Sequence, residues 1–358
     1  MVINAALSRL PDLAEQFARV SIVGVGADGN KIVSGIFEGG GYGAQCVALC
    51  TDRDALAGVY AHERILVEQE QAGAKEARGG SPYRSHVLQS CMSSVTPLLV
   101  GTDVAFVVAK MGQEDQAGLA SAASEIARQA GAVVVGVAIL PLPFEKDRRL
   151  DASHELAGMR NSCHTLTIVD ASRSPEFLAY PSGEFGEYSD RVVTDFVSGL
   201  AETLACPAFM NISVAAFREL MVHGGIAHLG IAQSSSALRA EEAVIGALRS
   251  RLLYDEVGRT RGALVSVRGD SSLTIEEAEM AADLVSERAG WSIPVVMGAH
   301  VDESWDGGLQ VAIMMTGGAY PYIPGGYRRL PLAMYEMEPD TEEEPVSIDL
   351  DLDQLEES

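Results

Sequence analysis

A chain of 358 residues with 47% apolar content is long enough for two domains with buried cores. Fifty acidic residues against 26 basic ones give a net charge of −24, and eleven of the acids fall in residues 336–358, which hold no Lys, Arg or His and leave −13 for the remainder. Such a surface, with no basic stripe, excludes nucleic acid as a partner.

Only four lysines occur (Lys31, Lys75, Lys110 and Lys146), against 22 arginines. Surplus carboxylate with scarce lysine suits a salt-rich cytoplasm such as that of a halophilic archaeon, where salt screens the self-repulsion. An acidic protein from a GC-rich genome is the other reading.

In chain order, residues 4–19 read as a short helix interrupted by Pro11. Apolar runs at 20–25, 45–50, 104–109, 133–139 and 165–169 then alternate with helical stretches such as 28–38 and 119–130. That alternation predicts a parallel sheet with helices on both faces and ligands at the carboxyl ends of its strands. Cys46 and Cys50 fall in the second run, as small hydrophobes. The five cysteines lack zinc spacing, and His223 and His228 have no third ligand nearby. The longest apolar run, 132–142, is too short to cross a bilayer and no leader pattern is visible, so a cytoplasmic protein without membrane insertion is expected.

Residues 185–206 form a long helical pattern closed by Cys206-Pro207, with Val192, Val193, Phe196, Val197, Leu200 and Leu204 at core-helix spacing. Beyond it, 214–220 is helical, 224–233 strand-like and 239–252 helical; strands are expected at 263–268, 295–299 and 309–315, and a helix at 275–289. The expected organisation is α/β: a Rossmann-like domain over 1–184, a central core helix over 185–206, a smaller α/β domain over 207–320, and a linker with a disordered acidic tail over 321–358.

Two glycine-bearing turns carry the chemistry. Gly24-Val25-Gly26-Ala27-Asp28-Gly29-Asn30 follows the first strand and opens a helix, matching the dinucleotide fingerprint; Asp52 ends the next strand where a ribose-binding acid would sit. By itself this supports an NAD-binding oxidoreductase, but no catalytic constellation follows. The second turn, Val108 to Gly118, lies between a strand and a helix N-terminus, where backbone N–H groups can hold phosphate. Here Gln113, Glu114, Asp115, Gln116 and Ala117 stand between Gly112 and Gly118.

These turns, with Cys50-Thr51-Asp52-Arg53-Asp54-Ala55-Leu56, Leu140 to Arg149, Gly225 to Gly230, Arg239 to Ala243 and Gly262 to Ala278, resemble in order and spacing the tubulin/FtsZ superfamily, over residues 20–318. The resemblance implies a polymerising fold of the FtsZ/tubulin type. It also implies GTP or GDP with magnesium held by Gly26, Ala27, Asp28, Gly29, Asn30, Asp52, Met111, Gly112, Gly118, Glu145 and Arg149.

Three departures qualify that implication. The glycine loop of the family is replaced at residues 113–117 by side chains that disfavour unusual backbone angles, and two of them repel phosphate. The family's base-reading carboxylate, near the start of the central helix, aligns with Arg191, a donor only. After that helix the family's Asn-x-Asp-x-x-Asp keeps Asn211, but Ser213 and Ala216 replace the two acids, and neither activates water.

A non-catalytic FtsZ-like cytoskeletal protein is therefore expected: a pseudo-GTPase with no cofactor, accessory to division or cell-shape filaments, stacking head to tail with itself or another FtsZ-like protein. Glu114 and Asp115 read either as a solvated loop or as a stand-in for phosphate at the helix N-terminus. An active GTPase with an atypical loop and the NAD-binding oxidoreductase are the alternatives. In the tail, Ile348, Leu350, Leu352 and Leu355 alternate with acids and suit an extended peptide that adds to a partner's sheet edge. The resemblance implies a division-site adaptor or membrane tether as that partner; a solubilising tail is the other reading.

Overall fold

The computed structural model describes residues 17–67, 81–113, 118–173, 185–253, 260–290, 292–302, 305 and 307–318. The helix expected at 4–16, the loop positions Glu114, Asp115, Gln116 and Ala117, and the tail with Ile348, Leu350, Leu352 and Leu355 lie outside them. Residues 17–19 are described and are not helical, contrary to expectation: the Ala18 N–H donates to Leu204 O at 2.9 Å, and Arg19 O receives the Asp103 and Val104 N–H groups. The chain there is already entering the sheet.

Strand β1 (Val20–Val25) leads into helix α1 (Gly26–Glu38), followed by β2 (Gln45–Cys50), the short α2 (Arg53–Ala57) and β3 (Glu63–Leu66). Then come α3 (Ser81–Leu99), β4 (Val104–Lys110), α4 (Leu119–Gln129), β5 (Val133–Ile139), α5 (Lys146–Ser162) and β6 (Thr165–Val169). The central helix α6 (Phe185–Ala205) precedes α7 (Val214–Val222) and β7 (Gly225–Ser234). The described chain closes with α8 (Arg239–Leu248), β8 (Gly262–Gly269), α9 (Ile275–Ala289), β9 (Val295–Val301) and β10 (Leu309–Gly318).

Every residue of β1, β5 and β6 is buried, so these strands read as unbroken apolar runs, as a parallel sheet covered on both faces requires. The strand order is β3-β2-β1-β4-β5-β6-β7-β10-β8-β9. Neighbours from β3 to β7 pair in parallel, β10 runs antiparallel to both β7 and β8, and β9 is parallel to β8. Only three residue pairs, Thr165–Gly225 to Thr167–Ala227, join β6 to β7, dividing the one ten-stranded sheet into a first sheet (β1–β6) and a second sheet (β7–β10).

The period of two along a strand sends alternate side chains to two cores. Ile22 and Phe106 meet Ile32, Val33 and Ile36 of α1 and Val193, Phe196 and Leu200 of α6. Val23 and Val107 face Val95 of α3, Ile126 of α4 and Leu156 of α5. A third core is built by α8 and α9 against β8 and β10. At about 1.5 Å per residue, α6 extends roughly 30 Å. Its start lies at the carboxyl ends of the first-sheet strands, where Asp190 meets Lys31; its end lies beside Ala18, ahead of β1.

Candidate functional site

β1 hands on to β2 at one side and β4 to β5 at the other, so a crevice opens at the carboxyl ends of β1 and β4. Gly26, Ala27 and Asp28 begin α1 at one lip; Met111, Gly112 and Gln113 follow β4 at the other. Gly29 lets the two approach, since a Cβ there would lie 2.5 Å from Val108 O. Asn30 is fully buried, and its Nδ2 donates to Leu49 O at 3.0 Å, pinning α1 to β2. Met111 is buried beneath the loop.

Gly112 has φ 79°, and a Cβ on it would fall 2.2 Å from Arg148 O, so a side chain cannot stand there. Its N–H donates to Glu155 Oε2 at 2.8 Å and its carbonyl accepts from Arg148 Nε at 3.2 Å. Both polar groups of this glycine are thus engaged by α5. Gly118, at φ 80°, opens α4.

Across the crevice, Asp28 Oδ2 accepts from Gln113 Nε2 at 2.7 Å and lies 3.5 Å from Lys110 Nζ. A carboxylate in the first turn of a helix is further favoured by the helix dipole. Lys31, Arg148 and Arg149 are likewise paired. Lys31 Nζ donates to Asp190 Oδ2 of α6 at 2.9 Å, and Arg148 holds Glu145. Arg149 donates to both Asp170 oxygens at 3.1 Å and to Pro141 O at 2.8 Å. Burial pushes the Asp190 carboxyl up despite Lys31, while Asp190 raises the Lys31 ammonium in turn. For Glu145 burial also acts upward, but the Leu142 N–H and Arg148 outweigh it and hold the carboxyl below its usual range.

Of the remaining sequence candidates, Asp52 caps α2 by accepting the Asp54 N–H at 2.9 Å. Arg191 is exposed on α6, and the carboxylate that turns towards α1 is its neighbour Asp190. Alignment by counting missed Asp190. The helical period pointed to it, because Asp190 lies three and seven residues ahead of the buried Val193 and Val197.

At the far end of α6, Asn211 Nδ2 donates to Thr203 O at 2.9 Å and Cys206 O at 2.6 Å, while its Oδ1 accepts the Ala208 N–H at 3.1 Å. It closes the carbonyl end of the helix. Ser213 caps α7, accepting the Ala216 N–H at 3.5 Å. The polar side chains of this segment thus serve as helix caps.

With this geometry in view, the likeness to known proteins is specific. The FtsZ family, C-terminal domain, matches residues 225–319. Cell division protein FtsZ 2 of Halobacterium salinarum is 30% identical over 300 residues, 84% of this chain and 76% of that one. Cell division protein FtsZ 2 of Methanocaldococcus jannaschii is 28% identical over 333 residues, 90% of this chain and 88% of that one. Among solved structures, the empty FtsZ dimer of M. jannaschii superposes with a TM-score of 0.79 at 28% identity, covering 87% of this chain and 92% of that one. CetZ2 of Haloferax volcanii, solved as a GTPγS-bound protofilament, shares the fold with a TM-score of 0.66 at 21% identity, over 84% and 93% of the two chains. By sequence identity, coverage and fold alike, the chain belongs to the FtsZ family.

Proposed function

We propose that this chain is a non-catalytic FtsZ-like cytoskeletal protein, an accessory or regulator of division or cell-shape filaments that works by self-assembly or co-assembly. The observation that carries the reading is the Asp28 clasp: a carboxylate gripped by Gln113 and Lys110 at the start of α1. A phosphate approaching that helix start would meet a carboxylate already there and a lysine already neutralised. Gly112 offers no free N–H, since Glu155 takes it. Among the described residues none offers a free phosphate cradle, and no hydrolytic step is derived through them.

The far end supports the same reading. Ser213 and Ala216 stand where the family has acids, and head-to-tail stacking would bring this acid-free end to a neighbour's crevice. The cell division names of the curated relatives support the cytoskeletal role. Two of the matched organisms, Halobacterium and Haloferax, agree with the reading of the acidic surface as salt adaptation, while the match to Methanocaldococcus is not specific to it. Among the described residues no helix is long and apolar enough to cross a membrane; recruitment of an adaptor or tether is assigned to the tail peptide.

An active GTPase would have to release Asp28 from Lys110 and Gln113 to free both donors. For the oxidoreductase reading, Asp52 caps α2 through Oδ1 and keeps its second oxygen, so the NAD arm of the titration decides it. The test is nucleotide content and binding in high-salt buffer: release by denaturation and chromatography, then titration with GTP, GDP and NAD in the presence of magnesium. The proposal expects no bound nucleotide, no binding heat and no phosphate release. Stoichiometric guanine nucleotide with steady turnover would overturn it. Asp28→Ala, which removes the carboxylate of the clasp, is expected to bring GTP binding from no detectable heat to a measurable one.

A further inference from the structure

The face of α6 turned to the second sheet carries Asp195, Gly199 and Glu202, spaced as one helical stripe. Gly199 allows close approach: a Cβ there would sit 3.3 Å from Ser266 Oγ and 3.4 Å from His300 Cε1. Facing this stripe are Arg268 of β8, His300 of β9, Asp302 just beyond β9 and Gln310 of β10. His300 is 2% exposed and neither ring nitrogen makes a hydrogen bond; its Nε2 lies 3.4 Å from Glu202 Oε2. Gln310 Nε2 reaches Asp195 Oδ2 at 3.5 Å. The guanidinium of Arg268 pairs with Asp302 and lies 5.4 Å from the Trp305 ring centroid. Arg191 lies one turn before Asp195 on α6, and Cys206 follows the helix end.

This seam therefore sets three carboxyl groups, Asp195, Glu202 and Asp302, against Arg268, Arg191 and an imidazole. Only three residue pairs join β6 to β7 beside it, and polar interfaces between lobes are where relative motion is expected. We propose that Asp195, Glu202 and His300, with Arg268 and Asp302, form a charge-tuned seam that tightens the second sheet on α6 when its carboxylates take up protons and loosens when they ionise. The proposal is independent of whether the crevice binds nucleotide.

The signs follow from the environment. Burial raises both Asp195 and Glu202 above the usual carboxylate range, against the pull of Arg268. A raised carboxyl contributes stability that is fully present below its unfolded value and is lost as pH rises through its folded value. His300 acts in the opposite sense: burial, then Arg268, lower it to about 4, so it costs stability as pH falls below its ordinary 6.5. Asp195→Asn leaves Glu202 beside His300 and so reads the carboxylate contribution alone, whereas Glu202→Gln also alters the histidine's surroundings.

Glu202→Gln and Asp195→Asn, each in a Trp291→Phe background that leaves Trp305 as the reporter, are to be melted from pH 8 to pH 5 at fixed high salt. Relative to the parent, each variant is expected to melt about 2 °C higher at pH 8, with the difference shrinking towards zero at pH 5. Trp305 emission is expected to shift with pH in the parent and much less in Glu202→Gln. Differences in melting temperature that are independent of pH, together with an emission profile shared by parent and variants, would overturn the proposal. Should one variant fold poorly, proton uptake measured on the parent decides: no His300 or carboxyl titration coupled to Trp305 emission sinks it.

Discussion

The two faces of the central helix are built on different principles. Towards the first sheet α6 presents Val193, Phe196, Val197 and Leu200, all within 1% of full burial. Towards the second sheet it presents Asp195, Gly199 and Glu202 against Arg268 and His300. The first face is held by non-directional burial, worth about 1.5–3 kcal/mol per large side chain. Carboxylates on the second face lose hydration on packing and regain it incompletely from their partners. The apolar cluster around α6 also takes in Leu229, Leu264 and Met314 of β7, β8 and β10, so burial holds the helix to both sheets and the polar stripe adds a contribution that depends on charge.

The sharpest way to break this contrast is to hollow the apolar face. Phe196→Ala is expected to destabilise the protein by about 3–5 kcal/mol, read as a lower denaturant midpoint with an unchanged slope. Filling the opposite face is expected to cost less. Gly199→Leu drives a side chain into Ser266 and His300, at about 1–3 kcal/mol, with the loss confined to protection of β8 and β9 in hydrogen exchange. If Gly199→Leu instead unprotected the first sheet, the two faces would not be separable. Lys31→Ala removes the pair that ties α1 to Asp190; with the lysine 61% exposed, the expected cost is below about 1 kcal/mol and vanishes in molar salt.

Much of the first sheet was legible in the chain. The runs at 20–25, 45–50, 133–139 and 165–169 coincide with β1, β2, β5 and β6, because strands buried on both faces admit almost only apolar residues. Elements without that signature were missed. β3 is an edge strand of four residues that includes Glu63 and Arg64, and α5 is polar over most of its length. The helix expected over 239–252 stops at Leu248, and 251–253 form a separate short turn.

At the crevice, residue types announced a family but not their partners. Asp28 and Gln113 are 85 positions apart, and neither spacing nor periodicity could pair them. Arg149, which the family resemblance places at the nucleotide, is 3% exposed and bound to Asp170 in a buried ion pair between α5 and the end of β6. Asn211 and Ser213 were weighed for hydrolysis; they are held in helix caps at the two ends of a turn.

The sequence by itself determined the strand–helix alternation, the apolar stripe of α6 and the acid-free composition of residues 211–218, since these depend on local composition and period. Tertiary structure alone decided that Asp28 closes the crevice, that Asp190 and not Arg191 turns inward, and that Glu202 meets His300. Each of those depends on which distant side chains the sheet order brings within a few ångströms, and electrostatic pairing at that range is set by distance and burial, which no local pattern records.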